Sequence, residues 1–161
     1  MYSAYTGTDY SLWDGSPRRT WCNSVFKNAL PAELVNLIKT VTKKTWRYAY
    51  TGYESYRTQQ TTNDDCFLVS EFEVFGVQGL SSTDYGTVGD DGTQYEYYKT
   101  TSNRIKYLGV SGISAKKWWL RSSNVTNRGY STFIYVNTSG DVNNSNNAAS
   151  NTYGVAPGFC I

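Results

Sequence analysis

Histidine is absent from all 161 residues. That one absence excludes Ser-His-Asp and Cys-His catalysis, and any zinc or haem site built on imidazole. Charge is sparse too: 17% of residues are charged, and 15 basic against 13 acidic side chains leave a net charge of +2. The basic residues Arg18-Arg19, Lys43-Lys44 and Lys116-Lys117 are isolated pairs, without the clustered face that nucleic acid requires. Apolar runs such as Cys66-Phe67-Leu68-Val69 stop at four residues, far short of the roughly 20 of a membrane span. No secretory leader is expected after Met1, which opens directly onto Tyr and Thr. Cysteine numbers three, and Cys22, Cys66 and Cys160 form no CxxC pair. One disulfide plus a free thiol is one arrangement of three cysteines; three buried, reduced thiols fit the pattern better and favour folding in a reducing cytoplasm.

What the chain has in excess is aromatic. Tyr, Phe and Trp number 15, 6 and 5, and Tyr outnumbers every aliphatic type. Disordered chains are poor in aromatics, so a folded chain is expected. Its length fits one domain, which buries roughly 70% of the surface its unfolded chain exposes. We read a single domain over residues 1–161, with residues 1–12 compatible with the end of a linker. Tyr beyond the needs of a core points to a contact surface, because Tyr gives rigid amphipathic area at low entropic cost.

Along the chain, Trp21, Val25 and Ala29 fall four apart and predict a first helix. Pro31 opens a second, striped by Leu34, Leu37, Ile38 and Val41 and closed by Lys43 and Lys44. Trp46, Tyr48 and Tyr50 alternate as in a half-buried strand, and Cys66-Phe67-Leu68-Val69 reads as a buried one after a turn at Asn63-Asp64-Asp65. Ser70 with Glu73 forms a capping box for a short helical turn. Residues 76–103 show no sustained periodicity and read as a long loop. Lys116-Lys117-Trp118-Trp119-Leu120-Arg121 is a strand. Phe133 to Val136 starts a hairpin turning at Thr138-Ser139-Gly140, and a terminal strand holds Pro157 at an edge or bulge. Helices early and strands late, without βαβ alternation, give an α+β class.

Several residues invite chemistry that a plainer role explains. Asp90-Asp91-Gly92 lacks the regular acidic spacing of a calcium loop and reads as a turn. Glu71 and Glu73 suit a helix start better than an acid/base pair. Trp118 and Trp119 are adjacent on a strand and point to opposite faces, so at most one can stack on a ligand, and two core anchors is the simpler role. Cys66 and Cys160 sit in apolar strands, where thiols are usually inert.

The tail carries a second absence. Residues 120–161 contain no Lys, Glu, Gln, Trp or Met, although at the frequency of the first 119 residues about eight are expected. Asparagine is abundant there instead, at positions 124, 127, 137, 143, 144, 146, 147 and 151. A polar loop capping a hairpin explains the asparagines, but loops usually welcome Lys, Glu and Gln.

Three strings of this tail, Trp118-Trp119-Leu120-Arg121-Ser122, Val136-Asn137-Thr138-Ser139-Gly140 and Tyr153-Gly154-Val155-Ala156-Pro157-Gly158-Phe159-Cys160, resemble an uncharacterised domain family of gut bacteria and their phages. Trp21-Cys22-Asn23-Ser24-Val25-Phe26 and Asp65-Cys66-Phe67-Leu68-Val69-Ser70-Glu71-Phe72-Glu73-Val74 agree with the likeness, which covers residues 13–161. The resemblance implies a C-type lectin-like fold with two N-terminal helices and short, mostly antiparallel strands joined by long loops. It also implies that the tail is the variable region of a diversity-generating retroelement. There, adenines of template codons, often Asn codons, are randomised. An Asn codon changed only at its adenines yields Tyr, Ser, Asp, Gly, Ile, Thr and others, but never Lys, Glu, Gln, Trp or Met.

On that reading the diversified, ligand-binding face comprises Asn127, Arg128, Tyr130, Ser131, Ile134, Tyr135, Asp141, Asn144, Ser145, Asn147, Ser150 and Tyr153. All should face solvent, and replacing Tyr130, Tyr135 and Tyr153 by Ser should weaken binding while hardly changing the melting temperature. The acidic and Pro-containing calcium-sugar motifs of true C-type lectins are missing, so calcium-dependent sugar binding does not carry over. The fold is shared with formylglycine-generating enzymes, but no reactive cysteine pair is evident. The expectation is a receptor-recognition domain of a phage tail or bacterial surface adhesin, with a protein or glycan partner on a target cell surface. No catalysis, metal, cofactor, nucleic acid or membrane insertion is expected, and homo-oligomerisation stays open. The alternative is a structural decoration or fibre domain of a virion; an enzyme, of the carbohydrate-active kind, is the least favoured class.

Overall fold

The computed structural model describes residues 13–51, 54–77, 92–107, 114–125, 131–144 and 152–161. The first helix is set by its cap. Ser16 accepts from Arg19 N at 3.1 Å, and Pro17 fills a first-turn position where no N–H is needed, opening α1 (Pro17–Trp21). The helix then widens into a π-helical turn (Cys22–Phe26). Within it, the Asn23 amide clips distant chain: Nδ2 donates to Cys66 O at 2.8 Å, and Oδ1 accepts from the N–H of Asp65 at 2.9 Å and of Cys66 at 3.1 Å.

The second helix departs from expectation. Pro31 is the N-cap of α2, which is the single turn Ala32–Val35. Val41, Lys43 and Lys44 belong to β1 (Val41–Thr51), which pairs residue for residue with β2 (Glu54–Asp64) from Val41–Asp64 to Thr51–Glu54. The β-branched run Thr40-Val41-Thr42 favours extended backbone, and the long antiparallel ladder outweighs an apolar stripe of helical period. Leu37 and Val25, expected on buried helix faces, are exposed. The strand expected at Trp46 to Tyr50 thus forms, but begins five residues earlier.

Buried β3 (Phe67–Leu68) leads into α3 (Glu71–Phe75) through the expected capping box, and Gly76 ends the helix at φ 72°. The expected loop over 76–103 is structured at its end: a 3₁₀ turn (Glu96–Lys99) is followed by α4 (Thr101–Arg104). Asp90 and Asp91 lie outside the described residues. Next, β4 (Lys106–Tyr107) pairs with β5 (Ala115–Lys116).

The main sheet has the order β8-β7-β6-β9, built from β6 (Trp118–Val125), β7 (Ser131–Val136), β8 (Val142–Asn144) and β9 (Gly154–Val155). β6 and β7 are antiparallel with a register shift between Trp119 and Ser123, and β9 runs parallel to β6. The expected hairpin turn at Thr138-Ser139-Gly140 joins β7 to β8. Finally β10 (Pro157–Gly158) pairs with β3, and Cys160 bridges to Lys39, which fastens the end of the chain to its first third. Pro157 stands on a two-stranded edge, as its missing N–H requires.

The class is therefore α+β, with few short helices and mostly antiparallel strands. Trp13, Phe67, Leu68, Val74, Trp118, Trp119, Leu120, Ile134 and Val136 fill the core. Cys22, Cys66 and Cys160 are all free thiols; the first two are buried and the third is half-buried. Burial pushes the Cys22 thiol up to about 12, helped by Cys66 and Asp64 nearby. Among the described residues, no helix is long and apolar enough to cross a membrane.

Candidate functional site

Successive side chains on β6 point to opposite faces, and this divides the two tryptophans. Trp118 stacks on Tyr98 with ring centroids 5.9 Å apart and donates Nε1–H to Arg104 O at 2.8 Å. Trp119 packs against Tyr153 at 4.7 Å and edge-on to Tyr135 at 5.9 Å, and Tyr135 and Tyr153 are themselves 4.7 Å apart. Both tryptophans are at most 2% exposed, so both anchor the core.

Beside them opens a groove of about 700 Å³. Its walls come from α1 (Arg18, Trp21), from β4 and β5 (Lys106, Tyr107, Lys116), from Lys117, and from the tail (Thr138, Thr152, Tyr153, Gly154). Among the described residues, four of the lining side chains are cationic and none is acidic. Gly154 N–H donates to Lys117 O at 2.8 Å, which fixes the tail's return beside β6. Lys117 Nζ lies 5.2 Å from the ring centroids of both Tyr135 and Tyr153. Burial and the neighbouring Tyr153 raise the Tyr135 phenol, while Lys117 pulls it the other way.

A second polar centre is buried behind α3. The Glu73 carboxylate accepts from Ser70 N at 2.8 Å, from Lys43 Nζ at 2.8 Å, from Tyr95 OH at 3.0 Å and from Arg121 Nη1. Burial alone would raise its pKa, but the Arg121 and Lys43 charges hold it below the usual carboxylate range. Arg121 also donates to Leu68 O and Thr45 Oγ1, so one guanidinium ties β6 to β3, α3 and β1. Glu71 is buried as well, its N–H donating to Ser122 Oγ at 2.8 Å. These carboxylates hold elements together at a helix start. Among the described residues, no group of three His, Cys, Asp or Glu side chains is placed to hold a metal.

Residues 4–161 match the family described as "Domain of unknown function (DUF6273)". The chain belongs to this family. No curated protein and no solved structure matches this DUF6273 chain.

The DUF6273 domain distributes the twelve expected face residues unevenly. Tyr153 is half-buried in the groove wall. Asp141 is exposed beside the hairpin turn, where its carboxylate accepts from Ser139 Oγ at 2.6 Å. Ser131 lies on β7 and Asn144 on β8, with Asn144 in register with Ile134. Asn127, Arg128, Tyr130, Ser145, Asn147 and Ser150 lie outside the described residues. Ile134 and Tyr135 correct the expectation of solvent-facing side chains: they are 0% and 4% exposed. β7 lies between β6 and β8, and core packing on both sides buries consecutive residues there. Sequence reasoning did not assign Arg18, Trp21, Lys106, Tyr107 or Lys117 to a site. Arg18 and Lys117 were visible only as halves of isolated basic pairs, and their convergence depends on strand pairing far along the chain.

Proposed function

We propose that this domain is a ligand-recognition module that displays a diversified Tyr/Ser/Asn-rich surface on a fixed, C-type lectin-like scaffold, as on a phage tail or a bacterial surface adhesin. The observation that carries the reading is the absence of Lys, Glu, Gln, Trp and Met from residues 120–161, in a chain otherwise provided with all five. Substitution at the adenines of Asn codons leaves that residue set, and a purely structural pressure toward polar loops does not. Support comes from how the tail is anchored. Trp118 to Ser122 and Phe133 to Val136 are buried, whereas Thr138, Ser139, Asp141 and Thr152 are exposed. Change is thus tolerable at the exposed positions without loss of the core. Tyr153 supplies aromatic contact area, and Ser and Asn supply adaptable hydrogen bonds, in the manner of an antibody paratope. Tyr135 acts below that surface as the packing partner of Tyr153.

Deep sequencing of the 3′ end of the gene across its natural population tests this, together with a search of neighbouring DNA for a near-copy of the segment. We expect substitutions confined to residues 124–153, at adenines of the copy, and sparing Phe133, Ile134 and Val136. A uniform tail without a near-copy would overturn diversification and leave a fixed-specificity binder or a structural module.

A further inference from the structure

Two adjacent arginines on α1 have opposite fates. Arg19 is committed: its guanidinium donates to Asp64 Oδ1 at 2.6 Å, to Asp14 O at 3.1 Å and to Asn63 O at 3.1 Å. Arg18 has no carboxylate or carbonyl partner among the described residues. Its guanidinium carbon instead sits 4.5 Å from the Trp119 ring centroid and 4.6 Å from that of Phe133. Contact with ring faces uses no N–H donor in a hydrogen bond, so the guanidinium keeps the fork of donors that matches a carboxylate bidentately. Burial lowers the Arg18 pKa to about 10, and no anion among the described residues offsets it.

Among the described residues, the groove that Arg18 lines offers no acid and three more cations. Two of these are engaged: Lys106 Nζ donates to Asn103 O at 2.8 Å, and Lys117 stands over the Tyr135 and Tyr153 rings. One guanidinium fork without an anionic partner among the described residues suits a single carboxylate. A phosphodiester strand would need a track of free cations along its backbone. An extended peptide would need a sheet edge, and the edge in this groove, β9, is two residues long. Three further aromatic rings line the groove: Tyr107 is exposed, and Trp21 and Tyr153 are half-buried. Such rings present flat apolar faces with polar rims, which complements a pyranose, and the volume lies in the range of small-ligand sites.

We propose that this groove binds a carboxylate-bearing sugar, with Arg18 as the bidentate carboxylate partner and Trp21, Tyr107 and Tyr153 as stacking platforms. Of these, Arg18, Trp21 and Tyr107 lie outside the tail, and only Tyr153 lies within it. The inference therefore stands apart from diversification, and population sequencing does not decide it.

The test is calorimetric and tryptophan-fluorescence titration of the full chain with oligosaccharides ending in glucuronate, galacturonate or N-acetylneuraminate. Their carboxyl-reduced counterparts, an oligothymidylate and a Glu-rich peptide serve as competitors. We expect at least one acidic saccharide to bind about tenfold or more tighter than its reduced form. Arg18→Gln should erase that preference, and Arg18→Lys, which keeps charge and most packing, should lose about fivefold. Circular dichroism melts check that both variants fold, and Arg18→Lys decides the matter if Arg18→Gln does not. Equal binding of acidic and reduced forms, no binding of any acidic saccharide, an unaffected Arg18→Lys variant, or preference for the oligonucleotide or the peptide would each overturn the proposal.

Discussion

Glu73 belongs to two devices at once. It is the N3 residue of the α3 capping box, where Ser70 Oγ accepts from its N–H at 3.1 Å, and its carboxylate is the buried counter-ion of Arg121 and Lys43. Glu73→Gln leaves two cations uncompensated in a buried site, and we expect it to cost about 3–5 kcal/mol by urea denaturation at pH 7. The folded pKa of Glu73 is depressed, so its stabilisation is fully present above the unfolded value of about 4.3 and is lost as pH falls through the folded value. Repeating the denaturation at pH 3 should therefore narrow the gap between wild type and Glu73→Gln. Ser70→Ala removes the reciprocal cap and should cost about 1–2 kcal/mol in the same assay. The cysteines divide by exposure: with an aromatic disulfide reagent, half-buried Cys160 should react in the native state, and buried Cys22 and Cys66 only on unfolding.

At the scale of elements, the β7–β8 hairpin depends on one glycine. Gly140 has φ 88°, and a Cβ there would meet Thr101 O at 2.9 Å, so backbone strain and a close contact with α4 coincide. Gly140→Ala should lower stability by about 1–3 kcal/mol, read from the denaturation midpoint. The rest of the turn is a local hydrogen-bond system: Asn137 Oδ1 accepts from Ser139 N at 2.6 Å, and Asn137 N donates to Asp141 O at 2.9 Å. A turn of this kind is legible in sequence because its chemistry is short-range. The same holds for the Ser70–Glu73 box. The stretch after Pro31 was misread because helical periodicity is a weak signal against an eleven-residue ladder whose partner strand lies farther along the chain.

Over the whole molecule, the tail and the first third of the chain make one groove. Tyr135→Ala should destabilise by about 3 kcal/mol, since its buried ring packs on Trp119 and Tyr153. Tyr153→Ser, at a half-buried position, should weaken ligand binding with a smaller shift in Tm. Paired melts and titrations separate the two, and burial of Tyr135 replaces the expectation that changing Tyr130, Tyr135 and Tyr153 together hardly alters the melting temperature. By itself the sequence determined the α+β class, the capped turn at Ser70, the hairpin at Gly140, the pair of tryptophan anchors and the biased composition of the tail. Each follows from local backbone preference, side-chain periodicity or residue counts. Only the tertiary structure decided that Ile134 and Tyr135 lie inside, that Arg121 and Lys43 share Glu73, and that Arg18 lines one groove with Lys106, Lys116 and Lys117. Those outcomes arise from contacts between residues dozens of positions apart, where burial and charge are set by which elements come together.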